Sequence, residues 1–502
     1  MADPDSQVAA DALAAFRGLD REELVLALVA ALAQNDSLRA EVLALTEKVR
    51  GLESRLNTHS GNSSIPPSAD PPKSKAEQKK ARQEKRRARR KGPKRGRGGQ
   101  PGHAGRFRKR VSKEGVSETR VLVPPECPHC SAPLDAGCAV GEKETPWHQV
   151  HELATRLIDV IEYLRPLCKC PGCGGRSRAE LPPEVGRSVL GPRLTALSLF
   201  LRGQLQSSER DVVELFSTVL DTKISLGTVS NCEAKLTEAL SQPYQEVLDA
   251  ISGAKFVNVD ETTWYQQSNY MVLWVATNDE LAAYQIDPSK GREAFHRLLG
   301  VEFKGIIGSD RAKTYDSIPP ARRQICWGHL DRNFQKLYDA GGEGSHIAKR
   351  VTETIDELFH IWHKVADGKL AHHDLARALR DVQDRFGGLL NEGLLPSVPD
   401  MNGICVALAH LWDGLWTFTK IEDVEPTNNA AERAARPAVT LRKTSLGSQS
   451  ERGSRFIERM MTAIQTLRKQ GRSTYAYLVS AIKAYFIGKP APSLLPQASA
   501  PG

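Results

Sequence analysis

The sequence lacks any long apolar segment and is poor in aromatic residues, which make up 6% of its 502 residues. No apolar run reaches the roughly 18 residues that a membrane-spanning helix needs. The first residues, Met-Ala-Asp-Pro-Asp-Ser, have neither a basic start nor an apolar core, so no signal peptide is expected. These absences exclude an integral membrane protein and predict a cytoplasmic protein without a membrane partner.

The chain has no excess of positive charge outside one short segment. The net charge is +9, yet between Lys73 and Arg97 fourteen Lys and Arg residues stand against two Glu, so the rest of the chain sums to −3. A chain of this length also exceeds the roughly 250–300 residues at which one core stops growing, so several domains are expected. The basic character therefore belongs to one segment and predicts a polyanionic partner.

The N-terminal region carries a heptad pattern. One apolar position holds Leu24, Ala31, Leu38, Leu45 and Leu52, and the other holds Leu28, Asn35, Val42, Val49 and Leu56. Leu at one position and Val at the other favour a parallel two-stranded coiled coil, in which a single Asn fixes the register. We therefore predict a homodimer or higher oligomer. An amphipathic helix packed on its own domain is the alternative.

The basic segment lies in a low-complexity linker that we predict to be disordered on its own. Asn62-Ser-Ser-Ile-Pro-Pro-Ser68 precedes the Lys/Arg run, and Gly96-Arg-Gly-Gly-Gln-Pro-Gly-His103 follows it. The density of positive charge exceeds what solubility requires, so we expect it to bind the phosphates of double-stranded DNA without reading sequence. A solvated run of charge is the alternative.

Two Cys-x-x-Cys pairs follow the linker, at Cys127-Pro-His-Cys130 and Cys170-Pro-Gly-Cys173. In a long chain without a secretion signal, such pairs predict a metal site rather than disulfides. Four thiolates would close one tetrahedral structural zinc site, and metal binding would supply much of the folding energy. Cys168 is so near that the choice between Cys168 and Cys170 stays open. Free buried thiols are the alternative to a metal site, and the weaker rival ligands are Cys138, His129, His148 and His151.

Helical patterns follow, and then strands. Two helices joined by a short link, the second starting at Ser225 or Gly227-Thr228, are compatible with a DNA-binding helix-turn-helix, although ordinary helical hairpins are common. Further on, short β-branched and aromatic runs predict strands. The expected order is strands at 256–259, 270–277 and 282–286, a helix at 292–299, strands at 305–308 and 323–326, and then a helical block.

Three acidic residues lie at informative points of this pattern. Asp260 and Asp310 each end an extended run, and Glu432 opens a helix. Strand end, strand end and helix is the way an RNase H-like core gathers carboxylates around metal. Carboxylate oxygens suit Mg²⁺ or Mn²⁺, and two ions together can promote an in-line phosphoryl transfer. Ordinary surface acids are the alternative, and the rival residues are Glu261, Asp316 and Glu425.

The residues around these acids form four motifs in order along the chain. The motifs are Asp260-Glu-Thr, Asp310 with Tyr315 five residues on, Cys326-Trp-Gly-His329, and Asn428-Asn-Ala-Ala-Glu-Arg-Ala-Ala-Arg-Pro437. Together they resemble the insertion-sequence-66 (IS66) family of bacterial transposases, over most of the chain. The residues that flank the Lys/Arg run are similar to that family too. Ala312 and Asp331 depart from the family pattern, which has an aromatic and a basic residue more often there.

The resemblance implies a metal-dependent DNA transposase that cuts element ends and joins them to target DNA. Asp260, Asp310 and Glu432 would be catalytic and hold two Mg²⁺ or Mn²⁺ ions. His329, Asn429 and Arg433 are candidate accessory residues, and Asn428 with Asn429 is expected to cap the Glu432 helix. Accessory proteins of the same element are further partners, at the bacterial nucleoid. The alternatives are an RNase H-like nuclease that does not join and an inactive DNA-binding regulator.

We therefore predict an α/β RNase H-like catalytic core with an all-helical insertion, preceded by a coiled coil, a zinc-binding segment and a helical DNA-binding region. The expected boundaries are 1–57 for the coiled coil, 58–110 for the basic linker, 120–180 for the zinc segment, 188–245 for the helix-turn-helix-like region, 250–445 for the catalytic domain with its insertion at about 330–420, 446–488 for C-terminal helices and 489–502 for a disordered tail.

Overall fold

The computed structural model describes residues 20–56, 58–59, 62, 110–135, 148–154, 157–169, 171–173, 176–185 and 188–496. Most of the predicted basic linker, Cys170 and residues 497–502 lie outside these ranges. The chain divides into two units, one of Met1–Lys79, Glu180–Glu214 and Lys223–Gly502, the other of Lys80–Ala179 and Leu215–Thr222. No helix in the described ranges is long and apolar enough to cross a membrane.

One long helix, α1 (Arg21–Leu56), occupies the predicted heptad region. Asp20 begins it, since its Oδ1 accepts hydrogen bonds from the amides of Glu22 and Glu23 while the Glu23 carboxylate accepts one from the Asp20 amide. This reciprocal pairing satisfies amides that a helix start leaves without partners. Heptad residues Val42 and Leu45 are 61% and 59% exposed. Within one chain, the apolar seam of α1 is therefore largely uncovered.

The second unit has little regular structure among its described residues. A 3-10 turn spans Lys113–Gly115, and the strands β1 (Cys168–Lys169) and β2 (Arg176–Ser177) form a short antiparallel hairpin. The second Cys-x-x-Cys pair lies between these two strands in sequence, and its first cysteine, Cys170, lies outside the described residues.

The predicted helical region is helical in the structure. It contains α2 (Pro192–Gly203), α3 (Glu209–Thr218), α4 (Leu226–Ala239) and α5 (Ser241–Ser252). Ser225 is the residue that begins α4, because its hydroxyl accepts a hydrogen bond from the Thr228 amide at 3.2 Å. The sequence left Ser225 and Gly227-Thr228 as alternatives for this start. Whether α3 and α4 read DNA stays a prediction.

A five-stranded mixed sheet follows, in the order β5-β4-β3-β6-β7. Its elements are β3 (Phe256–Gln266), β4 (Asn269–Thr277), β5 (Ala282–Asp287), α6 (Arg292–Leu299), β6 (Ile306–Ser309) and β7 (Arg323–Ile325). β3, β4 and β5 are antiparallel neighbours, whereas β6 runs parallel to β3 and β7 parallel to β6. The elements and their order are those that the sequence predicts.

β3 and β4 are longer than predicted because a tight turn joins them. Gln267 and Ser268 form this turn with positive φ angles of 49° and 66°. Two consecutive left-handed residues match the twist of a hairpin and allow the strands to pair up to the turn. The register runs from Asn258 opposite Thr277 to Gln266 opposite Asn269. Asp260 therefore lies inside a strand and not at its end.

An all-helical block follows β7, as predicted. It contains α7 (Trp327–Ala340), α8 (Ser345–Ala366), α9 (His372–Ala378), α10 (Arg380–Glu392), α11 (Pro399–His410) and α12 (Trp412–Leu415). Trp327, Phe386 and Trp416 meet in its core, where the Trp327 ring centroid lies 4.9 Å from that of Phe386 and 5.0 Å from that of Trp416. The block has its own apolar core and starts directly after the sheet.

Three helices complete the chain: α13 (Asn429–Ser445), α14 (Glu451–Lys469) and α15 (Thr474–Phe486). α13 lies on the sheet through the buried alanines Ala431, Ala434, Ala435 and Ala438, which recur at helical spacing and pack in one cluster with Trp264, Leu273 and Val275. Their small side chains let the helix backbone approach the strands closely. The sequence motif around Glu432 is therefore also a packing motif.

α14 covers the edge of the sheet formed by β5. The amides of Ala282, Tyr284 and Ile286 donate to Thr466 Oγ1, Thr462 Oγ1 and Glu458 Oε1, at 3.1, 3.1 and 2.7 Å. Four helical residues rise about 6 Å and two strand residues about 6.6 Å, so the two repeats match. Three helix side chains thereby satisfy an edge that would otherwise invite pairing with another strand.

Part of the predicted disordered tail is packed. Leu494 is fully buried, the Tyr477 hydroxyl donates to the Pro492 carbonyl oxygen at 2.7 Å, and the Gln470 amide donates to the Leu494 carbonyl oxygen at 2.9 Å. The prediction was wrong for residues 489–496, because one leucine and a few carbonyl groups find partners on the last two helices.

Candidate active site

One predicted catalytic acid lies in β3, and another directly follows the neighbouring strand β6. β3 and β6 are parallel, with Asn258 opposite Gly308, and the same register continued brings Asp260 beside Asp310. Asp310 directly follows β6, as predicted. Asp260 was predicted to end its strand and instead lies within it, because the hairpin prolongs β3. The paired register of β3 and β6 ends two residues before these acids, and their proximity follows from extending it.

A buried asparagine ties the helix of the third acid, Glu432, to the sheet. Asn428 Nδ2 donates to the Val259 carbonyl oxygen at 2.8 Å, and the Asn428 amide donates to the Cys326 sulfur at 3.2 Å. Asn428 was predicted to cap α13, but its side chain makes no capping hydrogen bond. It is buried against β3 instead. Asn428 therefore anchors the start of α13 to the residue that precedes Asp260.

The pKa of the Asp260 carboxyl group depends on its burial and on the charges of the other acids. Burial, followed by the negative charges of Glu261, Glu432 and Asp310, raises the pKa of Asp260 to about 7, against an opposing hydrogen bond from the Glu261 amide. Mutual repulsion of this kind favours a bound cation over several ionised carboxylates alone. Among the described residues, however, no three metal-ligating side chains converge closely enough to hold an ion. The acids share a neighbourhood without forming a closed metal cage.

Two basic side chains of α7 face Glu432. Arg332 Nη2 lies 3.0 Å and His329 Nε2 3.6 Å from the same oxygen, Glu432 Oε1. Burial and the charge of Arg332 lower the pKa of His329, which keeps its imidazole neutral at pH 7. Arg332 Nε and His329 Nδ1 are buried without a hydrogen-bond partner. Buried polar atoms without partners are uncommon, and here they border the acidic cluster.

Glu261, the rival of Asp260, is already paired. Its side chain is only 5% exposed, and its Oε1 lies 2.9 Å from Lys290 Nζ. Its Oε2 accepts a hydrogen bond from the Tyr315 hydroxyl at 2.7 Å. Another rival, Asp316, lies 3.3 Å from the buried Arg323. Both rivals therefore have cationic partners of their own.

The remaining candidate residues lie on α13. Asn429 is its first residue and Arg433 its fifth, and both are exposed. Arg433 follows Glu432 directly, but consecutive side chains on a helix point in different directions, so this position does not by itself bring Arg433 to the acids. Their proposed contacts with DNA stay predictions.

The described part of the predicted zinc site is a reversing turn. The Cys127 amide donates to the Ala132 carbonyl oxygen and the Ser131 amide to the Cys127 carbonyl oxygen, both at 2.8 Å. Hydrogen bonds from the amides of His129 and Cys130 lower the pKa of the Cys127 thiol. A stabilised thiolate is what zinc binding needs. Cys130, Cys168 and Cys173 are also described and exposed, whereas Cys170 lies outside the described residues.

A mixed five-stranded sheet with an acidic cluster and a helical block is compatible with the core of a transposase. Residues 187–456, more than half of the chain, match the family described as the Transposase IS66 family. The chain belongs to this family. Residues 15–109 separately match a family of unknown function (DUF6444). The catalytic acids that the sequence predicts all fall within the transposase match.

Curated relatives add no activity of their own. The chain is similar to two uncharacterized proteins of Sinorhizobium fredii (strain NBRC 101917 / NGR234), y4qI and y4hP. It is 23% identical to y4qI over 49% of this chain and 50% of that protein. It is 25% identical to y4hP over 65% of each chain. The chain thus spans less than two thirds of the length of either relative.

Sequence reasoning missed two residues that shape this site, Lys290 and Arg332, and it gave Asn428 a capping role in place of its contact with β3. Arg332 follows His329 by three positions on a helix, and this spacing places both on one face. That signal was available. Lys290 has no such signal, because only the fold of the loop after β5 brings it to Glu261.

Proposed function

We propose that this protein is a DNA transposase that cuts the ends of its element and joins them to target DNA at Asp260, Asp310 and Glu432. The supporting observation is the β3–β6 register, which brings Asp260 beside Asp310, together with the effect of Glu432 on the Asp260 pKa. Chance acids near strands are common in a chain with sixty Asp and Glu residues. These three also share one neighbourhood within the family match, in the order expected of an RNase H-like core.

The three carboxylates would hold two divalent ions, Mg²⁺ or Mn²⁺. A donor set of carboxylate oxygens alone suits these hard cations. When bound, two such ions lower the pKa of an attacking water or 3′-hydroxyl group and stabilise the leaving oxygen. The protein supplies fixed positions: Asp260 and Asp310 come from paired strands, and Asn428 holds the helix of Glu432. His329, as a neutral imidazole beside Glu432, would orient that carboxylate.

The other segments would bind DNA and assemble the protein. The basic linker, the zinc segment and α3–α4 would contact element ends at the bacterial nucleoid, and accessory proteins of the element are candidate partners. We infer a parallel dimer through α1, because its heptad residues are largely exposed in the single chain. The zinc site would be structural, with Cys127, Cys130 and Cys173 as ligands and either Cys168 or Cys170 as the fourth.

Two other functions compete with this one. An RNase H-like nuclease would cut DNA without joining it, and a regulator would bind DNA without cutting it. A regulator of this kind would be expected to have lost a carboxylate, and all three are present here. The nuclease shares the same site, so it is distinguished only by its products.

A strand-transfer assay separates the three functions. Full-length protein is incubated with labelled duplexes carrying the element ends and with target DNA, with and without Mg²⁺. A transposase gives cut and joined products only with metal, a nuclease gives cut products alone, and a regulator gives neither. Asp260→Asn, Asp310→Asn and Glu432→Gln should each abolish cleavage and leave DNA binding nearly intact.

The matched control is Glu302→Gln. Glu302 is an exposed acid before the start of β6, at the opposite end of that strand from Asp310. This variant should cleave like the wild type. Normal cleavage by a variant of any one of the three acids would remove that residue from the site.

A further inference from the structure

Lys290 is an exposed lysine whose backbone and ammonium group are both fixed. It lies in the loop between β5 and α6, and its carbonyl oxygen accepts a hydrogen bond from Thr314 Oγ1 at 2.6 Å. The carbonyl oxygen of Ser289 accepts another from the Trp274 indole at 3.2 Å. A surface lysine ordinarily samples many side-chain conformations, and a salt bridge must overcome that entropy. Here the backbone of the loop is held on both sides, so the side chain extends from a fixed point.

The anchor of this ammonium is Glu261, the residue after Asp260. One Glu261 oxygen faces Lys290 Nζ at 2.9 Å and the other accepts from Tyr315 at 2.7 Å. With its side chain 5% exposed and both oxygens engaged, Glu261 has little capacity left for a metal ion. The second acid of the Asp-Glu-Thr motif therefore holds a cation of the protein next to the first.

The same ammonium is partly exposed, and the charge of Asp310 acts on it. Burial lowers the pKa of Lys290, but the hydrogen bond and charge of Glu261 and the charge of Asp310 outweigh it and raise the pKa overall. Lys290 is therefore charged at neutral pH, and its side chain is 55% exposed. An ammonium group carries more donors than one carboxylate oxygen uses. Donors remain for a ligand that approaches from solvent.

We propose that Lys290 binds a backbone phosphate of the DNA strand that enters the site of Asp260 and Asp310. This inference rests on the proposed function and names a residue that holds the substrate of the same site. A phosphate is the anionic group of DNA that any sequence presents, and a fixed cation beside the acids would set how the strand lies over them. Glu261 and Tyr315 are positioning residues for that cation.

The charge balance of the site supports this role. Asp260, Glu261, Asp310 and Glu432 would together repel a DNA strand. Lys290 offsets the charge of Glu261 and Arg332 faces Glu432, whereas Asp260 and Asp310 have no such cationic partner among the ion pairs of the described residues. A lysine also suits a phosphate that is held as a point charge rather than gripped by two parallel hydrogen bonds.

The test measures how DNA affinity depends on salt, using full-length protein and a fluorescently labelled duplex. Lys290→Gln should weaken binding to all duplexes and reduce the slope of log affinity against log salt by roughly one unit, the value for one phosphate contact. Lys290→Arg should keep the slope. The control Lys304→Gln, an exposed lysine before the start of β6, should also keep it.

An unchanged slope for Lys290→Gln would overturn the proposal, whatever its effect on thermal stability. The salt-slope assay measures DNA binding and does not need cleavage. If the protein binds DNA but does not cut it, the proposed function fails, and the role of Lys290 is still tested. A second arm tests the anchor by titrating Mn²⁺ without DNA. Glu261→Gln should bind Mn²⁺ like the wild type, while Glu432→Gln binds it more weakly. A large loss in Glu261→Gln would make Glu261 a metal ligand and overturn its positioning role.

Discussion

The guanidinium of Arg332 lies 3.0 Å from the carboxylate of Glu432, so the protein itself supplies a cation to a predicted metal ligand. The two residues are 23% and 32% exposed, which makes this a partly solvated ion pair. Arg332 and His329 both approach Oε1 of this carboxylate. A divalent ion at Glu432 would lie close to the guanidinium, and the two cations would repel each other. We therefore expect Arg332 to oppose metal binding at Glu432.

Arg332→Gln should bind Mn²⁺ more tightly than the wild type in the absence of DNA. A partly exposed ion pair contributes about 0.2–1 kcal/mol, so the gain should be at most roughly fivefold. Calorimetric titration measures it. Arg350→Gln, which removes an exposed ion pair with Glu392 in the helical block, is the control and should not change Mn²⁺ affinity. Weaker Mn²⁺ binding by Arg332→Gln would show instead that Arg332 orients Glu432 for the metal.

The second prediction concerns Glu458, whose carboxyl group accepts the Ile286 amide at the sheet edge. Burial is the main cause that raises its pKa from 4.5 to about 7, Asp287 adds to it, and the Ile286 hydrogen bond, Arg455 and Arg459 oppose it. A folded pKa above the unfolded value means that the folded state binds the proton more tightly. The stabilisation is therefore complete below about pH 4.5 and is lost as the pH rises through about 7.

Glu458→Gln should remove this pH dependence, because glutamine keeps an acceptor for the Ile286 amide without a charge. At pH 8 the variant should be more stable than the wild type by roughly 1–3 kcal/mol, and at pH 5 the difference should be small. Calorimetric melting at the two pH values measures it. Glu451→Gln, an exposed acid at the start of the same helix, should show no such difference between pH 5 and pH 8. An equal effect of Glu458→Gln at both pH values would contradict the prediction.

The sequence predicted most of the sheet and of the helices around the candidate site, because the signals for these elements are local. β-branched runs define β3–β7, and the alanines around Glu432 recur at the spacing of one helix face. The contacts of Arg332 with Glu432 and of Lys290 with Glu261 were not predictable in this way. They join residues far apart in the chain, and their meeting depends on the strand register and on the loop after β5. The edge contacts of α14 depend on the same kind of long-range alignment.

The third prediction concerns the metal content of the second unit. Metal analysis should find about one Zn²⁺ per chain, since four thiolates form one closed site. Cys130→Ser should lose the metal and destabilise this unit. Cys168→Ser and Cys170→Ser form a matched pair, of which only one should lose zinc, and that one identifies the fourth ligand. Full zinc content in a Cys127→Ser, Cys130→Ser double variant would refute the site.

The last prediction concerns the basic segment. Replacing Lys73–Arg97 by an uncharged Gly/Ser linker of equal length keeps the reach of the chain and removes its charge. If about six phosphates are engaged, the slope of log affinity against log salt should fall by roughly five units, at about 0.9 per phosphate. Preference for element ends should largely survive, because a run of Lys and Arg has no fixed geometry for reading base edges.

Two other results of that replacement would each mean something different. An unchanged slope would show that the run serves solubility and does not bind phosphates. Loss of end preference with unchanged non-specific affinity would show that the segment folds on DNA and reads it. The Lys290→Gln variant makes the comparison quantitative, because it should remove about one phosphate contact where the linker replacement removes several. If Lys290→Gln and the linker replacement changed the salt slope by similar amounts, the basic segment would not be responsible for most of the non-specific binding.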